Sequence, residues 1–137
     1  FFSVADLIKC SDEDLEYLHP EWTDRALEKF IATYSPQLCV YTEGAEGLRA
    51  FTKSGISSQV SASLPGPLSD TVGAGDSVHG TLLSEIDRLD LAGQQLSELN
   101  ESQLTDMLLL ASRVAGVNCT RAGCQPPTRE EVAEIFG

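Results

Sequence analysis

Apolar residues recur along this chain with two different periods, and the changes of period mark out its elements. Ala26, Leu27, Phe30, Ile31 and Tyr34 fall at helical spacing and predict a helix through the 23–34 region. Pro36 blocks its continuation. Leu38 to Thr42 is a short run of buried-strand type. Gly44 and Gly47 bracket a turn, and Leu48 to Thr52 reads as the return strand. Gly55 marks a second turn, residues 56–64 look extended, and Pro65-Gly66-Pro67 is a loop. Val78, Leu82, Leu83 and Ile86 predict a helix after Asp76. Residues 91–100 read as a surface excursion. The longest helical pattern covers 101–118, with Leu104, Met107, Leu108, Ala111, Val114, Ala115 and Val117. Ser11 followed by Asp12, Glu13 and Asp14 reads as a capped helix start. Thr128 with Glu131 has the spacing of a capping box. The predicted order is helix, helix, strand, hairpin, helix, helix, helix. It suits part of a layered α/β fold better than a complete one.

Composition narrows the class. At 137 residues with 42% hydrophobic and 22% charged residues, the chain is one domain-sized piece with a real core. No apolar run reaches membrane-spanning length, and the start does not read as a secretory signal. The first residues, Phe1-Phe2, include no Met, so a fragment or processed form is expected. The net charge of −12 argues against nonspecific nucleic-acid binding, which needs basic residues to neutralise phosphates. It does not exclude a nucleotide held by helix N-termini and a divalent cation. Cys10, Cys39, Cys119 and Cys124 form no metal-ligand spacing, so reduced thiols in a cytoplasmic protein are the expectation.

The segment Asp70-Thr71-Val72-Gly73-Ala74-Gly75-Asp76 carries the chemistry. Glycines just before a helix let a ligand approach the backbone closely. The N–H groups of the first helical turn lack partners and, with the helix dipole, favour an anion. An acid at that point holds an anion poorly but is placed to take a proton from a nucleophile attacking it. The pattern points to phosphoryl transfer to a hydroxyl. The bland alternatives are a tight turn and a helix-terminus Asp stabilised by the dipole. The segment is no Walker A loop, because no Gly-Lys-Ser/Thr follows. It is no dinucleotide fingerprint either, because Val78 stands where the third glycine belongs.

Asp70–Asp76 resembles the DTxGAGD signature of the ribokinase-like, or pfkB-type, carbohydrate kinases. Three further segments resemble that family in the same order. Ile8 to Leu18 resembles the segment that follows a central strand and carries an N-x-x-E-like motif; Ser11 and Asp14 stand at its Asn and Glu. Val40 to Gly47 resembles a T-x-G-x-x-G nucleotide segment. Thr120 to Val132 resembles a TRxGA…P(T)xxEV ending.

The resemblance implies the C-terminal part of a three-layer α/β/α fold, with the sugar-binding half and lid supplied by sequence outside residues 1–137. It implies Asp76 as general base and Gly73, Ala74 and Gly75 as the anion hole. It further implies Thr42, Gly44, Gly47 and Thr71 as nucleotide contacts, Ser112 and Gly123 near the adenine, and Asp14 toward Mg²⁺. Glu13 competes for that last role. Glu43 is an odd neighbour for a polyphosphate. His79 suggests a fructokinase-like member. The implied partners are ATP or ADP, a small sugar and a second copy of the chain, with no nucleic acid and no membrane. Two readings stay open: an ATP-dependent sugar kinase, and a non-catalytic nucleotide-binding fragment or interaction module.

Overall fold

The computed structural model describes Phe1–Gly137 throughout. Four strands form one sheet in the order β1-β2-β3-β4: β1 (Leu7–Ser11), β2 (Leu38–Thr42), β3 (Leu48–Thr52) and β4 (Ser57–Val60). β1 and β2 are parallel, with Ser11 opposite Thr42 at their carboxyl ends. The other two pairings are antiparallel. Five helices complete the chain: α1 (Asp12–Leu18), α2 (Ala26–Tyr34), α3 (Ala74–Arg88), α4 (Glu101–Cys119) and α5 (Arg129–Phe136). The predicted excursion at 91–100 contains a 3₁₀ helix, Gly93–Glu98.

β1 is absent from the predicted order. Its run Leu7-Ile8-Lys9-Cys10-Ser11 is short, and its last residue also caps α1, so the helix start masks the strand end. A parallel neighbour requires a crossover, and α1 and α2 supply it.

The pleat sorts the strands into two cores. Leu38 and Val40 of β2 join Leu48, Ala50 and Val60 in packing against Val78, Leu82, Leu104, Met107 and Leu108 of α3 and α4. The alternate residues Cys39 and Tyr41 join Ile8 and Cys10 against Leu15, Leu27 and Phe30 of α1 and α2. Helices therefore cover both faces, as the three-layer expectation requires. β2 reads as a continuous apolar run because both of its faces are covered. α5 is tied back through its Thr128–Glu131 capping box, an Arg121–Glu131 ion pair and Arg113, which lies 5.0 Å above the Phe136 ring.

Candidate phosphate site at the start of α3

Gly73 is the N-cap of α3, with φ +78°. This left-handed conformation costs a residue bearing a Cβ, so glycine belongs there. The close approach expected of the loop is also real, but its neighbour is Cys124. A Cβ on Gly73 would stand 2.2 Å from Cys124 Sγ. Gly75 is already helical and has no positive φ. Ala74 N–H is committed to Thr71 O at 3.1 Å, while those of Gly75 and Asp76 stay open in the first turn. The open donors thus sit one residue further along than the glycine pattern alone suggests. Asp76 is exposed, and none of the ion pairs of the chain involves it.

Lys9 comes to the same point from β1. A Cβ on Gly75 would stand 3.2 Å from its Nζ, and no ion pair occupies that ammonium. A free cation beside open N–H groups gives the start of α3 two features that favour an anion. Sequence reasoning missed Lys9 because its strand was missed. With β1 in place, Lys9 is the middle residue of a strand of the parallel pair, two residues before its carboxyl end at Ser11.

The signature loop is clamped from behind. Asp70 accepts from Val72 N (2.9 Å) and Gly123 N (3.1 Å), and these backbone donors hold its carboxyl below the usual carboxylate range. Asn118, fully buried, donates to Val72 O at 2.9 Å and accepts from Gln125 N at 2.7 Å. Cys119 O accepts from Ser69 N and Asp70 N. Asn118 was hidden within an apolar helical pattern; a lone amide at a core position is the signal that could have found it.

A cleft of about 350 Å³ runs from Asp76 along α3, walled by Leu110 and Val114 of α4 and by Cys124, Pro126, Pro127 and Arg129. Ser77 lines it and is 7% exposed, yet its hydroxyl has no partner. Arg129 closes the far side by pairing with Glu85, which also binds Arg88 at 2.8 Å. The Arg88 hydrogen bonds, then Arg129, hold Glu85 below its ordinary pKa against the opposing effect of burial.

The other expected residues sit as follows. Thr42 ends β2 beside Ser11, and Gly44 begins the turn that follows it. Gly47 has φ +111°, and a Cβ there would stand 2.1 Å from Val60 O, so it is required for packing against β4. Glu43 is turned into a two-pronged contact with Arg49 (2.8 and 3.0 Å), which resolves its odd place in the turn. Thr42, Gly44 and Gly47 do not line the cleft. Thr71 is exposed and braces the turn through its carbonyl. Gly123 N is committed to Asp70. Ser112 is buried, and its hydroxyl bonds Ser61 O and Ser63 N, both at 3.0 Å. Ser11 and Asp14 close a reciprocal capping box: Asp14 N donates to Ser11 Oγ, and Ser11 N to Asp14 Oδ2. His79 is exposed.

Comparison with known proteins gives one consistent result. The family model for pfkB family carbohydrate kinases matches residues 1–131. The chain is 32% identical over 137 residues to "Probable fructokinase-4" of Arabidopsis thaliana, covering 96% of this chain and 39% of that protein. It is 33% identical over 102 residues to a fructokinase of Rhizobium leguminosarum bv. trifolii, covering 73% of this chain and 30% of that one. Among solved structures, a Xylella fastidiosa fructokinase with bound ATP superposes with TM-score 0.83 at 23% identity, over 98% of this chain and 43% of the other. A Vibrio cholerae fructokinase in a fructose-, ADP- and calcium-bound form gives 0.77 at 26% identity, over 98% and 42%. The chain therefore spans under half the length of these relatives.

Proposed function

From the premise that this chain belongs to the pfkB family of carbohydrate kinases, we propose that it is the nucleotide-binding and phosphoryl-transfer part of an ATP-dependent, fructokinase-like sugar kinase. The sugar contacts and lid come from sequence outside residues 1–137. The single observation that carries this reading is the start of α3. Open N–H groups and an unengaged Asp76 carboxylate meet there with an unpaired Lys9 ammonium from β1.

In this reading the γ-phosphoryl group of ATP lies against Gly73, Ala74 and Gly75, and the base runs toward the 111–124 segment. Phosphoryl transfer needs positioning and charge stabilisation more than covalent chemistry. The open N–H groups of Gly75 and Asp76 hold the equatorial oxygens, and Lys9 adds a full charge. Asp76 takes the proton of the sugar hydroxyl as that oxygen attacks phosphorus, and the bond to ADP breaks. Its freedom from ion pairs leaves it available for that role.

The residues fit a hard divalent cation such as Mg²⁺. No three acidic, His or Cys side chains gather into an all-protein cage. Mg²⁺ is commonly held by phosphates, waters and only one or two carboxylates. Asp14 keeps Oδ1 outside its capping box and would serve in that way. When bound, the cation neutralises phosphate charge. The second reading, a nucleotide-binding module without turnover, is favoured by Ser11 and Asp14 standing where the family motif has Asn and Glu.

Asp76→Asn separates the two readings in the intact protein. It keeps shape but cannot accept a proton, so kcat falls by about 10²–10⁴ while ATP affinity stays within a few-fold. Undiminished turnover at saturating sugar would remove Asp76 as the base. A parent protein that binds ADP yet phosphorylates no sugar in a panel would establish the module reading.

A further inference from the structure

The Val72–Gly73 peptide group is held on one side and open on the other. Val72 O accepts from Asn118 Nδ2 at 2.9 Å, while Gly73 N–H has no acceptor. In a trans peptide the carbonyl and the N–H point in opposite directions. The fully buried Asn118 therefore draws the carbonyl inward and leaves Gly73 N–H facing away from it.

Two orientations of this peptide compete. Ala74 N–H closes a turn onto Thr71 O at 3.1 Å, and Gly73, at the third position of that turn, has φ +78° and ψ 3°. These are the values of a type II turn. A type I turn closes with the same bond but has its middle peptide turned over, and glycine accepts either sign of φ. The local chain does not decide between them; the groups around the peptide do. In the type I form Gly73 N–H would face the Asn118 amide donor, and Val72 O would face outward. Asn118 is not free to exchange the two ends of its amide. Its Oδ1 accepts from Gln125 N at 2.7 Å, and an NH₂ group in that place would set donor against donor. The observed orientation also places the donor usefully. Left-handed Gly73 followed by helical Ala74 turns successive N–H groups toward one concavity, so Gly73 N–H joins the open donor of Gly75.

We propose that Asn118 is a positioning residue of the phosphate cradle: by holding Val72 O it presents Gly73 N–H to the γ-phosphoryl group. The proposal rests on the reading of Gly73–Asp76 as that cradle. Released, the peptide turns over and sets a carbonyl oxygen against the phosphoryl oxygens where a donor stood. Asn118 touches no substrate and exchanges no proton. It acts only through the orientation of one peptide, and therefore on the γ-phosphoryl group more than on the rest of the nucleotide.

The test compares ADP with the β,γ-imido analogue of ATP, which carries a γ-phosphoryl group and is not consumed. Both are titrated by calorimetry into the intact protein and into its Asn118→Leu variant. Leucine keeps the approximate size of the side chain and removes both of its hydrogen bonds. Asn118→Leu is expected to lose at least about tenfold in affinity for the analogue, the worth of one hydrogen bond to a charged group, and to stay within about twofold for ADP. A merely structural role moves both affinities alike; a loss of both, or of neither, overturns the proposal. A crystal structure of the parent protein with the analogue is the second measurement and needs no variant. It is expected to show Val72 O on Asn118 Nδ2 and Gly73 N within hydrogen-bond distance of a γ-phosphoryl oxygen. A γ-phosphoryl group held by Gly75 and Asp76 with Gly73 N turned away overturns the proposal alone. Phosphates bound away from the start of α3 overturn the cradle reading, and the positioning role with it.

Discussion

Gly73→Ala tests the geometry on which the proposed phosphate site depends. Two costs are visible. The residue must keep φ near +78°, which is worth about 1–2 kcal/mol for a side chain bearing a Cβ. The new methyl also falls 2.2 Å from Cys124 Sγ and 2.8 Å from Cys124 Cβ, and overpacking of this kind costs about 1–3 kcal/mol. Together they predict a loss of about 2–5 kcal/mol, read as a lowered urea midpoint by circular dichroism. The steric part can be isolated. Cys124→Gly removes both offending atoms, so in the double variant only the φ penalty and a glycine entropy cost of about 0.5–1 kcal/mol remain. The pair should therefore be less destabilised than the sum of its members, by about 1–3 kcal/mol. A Gly73→Ala protein within about 0.5 kcal/mol of the parent, or strict additivity in the cycle, would refute the reasoning.

Lys9→Met should weaken ATP binding about tenfold, while Lys9→Arg recovers part of the loss; equal affinity in Lys9→Met by calorimetry would remove the ammonium from the cradle. Asn118→Ala leaves Val72 O and Gln125 N without partners and opens a void, so it should cost about 2–4 kcal/mol in urea unfolding, against little change if water replaces the amide. Glu85→Gln should cost about 1.5–3 kcal/mol at neutral pH, because it weakens charge-assisted bonds to Arg88 and Arg129. The folded pKa of Glu85 is depressed, so its contribution is full above the unfolded value of about 4.3 and is lost as pH falls through the lower folded value. The gap between parent and Glu85→Gln should therefore close below about pH 4, and a gap that persists there contradicts the ion-pair account.

Much of this molecule was legible in local pattern. The period of α2, α3 and α4, the hairpin of β2 and β3, and the caps at Ser11 and Thr128 depend on residues a few places apart. Their physics is set before the chain folds. The glycine turn and helix start at Asp70–Asp76 were legible for the same reason: glycine φ freedom and first-turn donors are local properties. β1 was not legible, because a five-residue strand ending in a helix cap has no period of its own and is recognised only by pairing with β2. What depends on that pairing was hidden with it, above all the arrival of Lys9 at Gly75. The clamps of Asp70 on Gly123 and of Asn118 on Val72 and Gln125 join residues that meet only when α4 packs beside α3. Ser112 is a further case: the hydrogen bonds of its hydroxyl to Ser61 and Ser63 join residues about fifty places apart and have no local signal. The sequence by itself determined the locally patterned elements and the family. Only the tertiary structure decided which donors are open, which acid is free and which cation faces them, because those are properties of what each polar group finds within hydrogen-bonding distance.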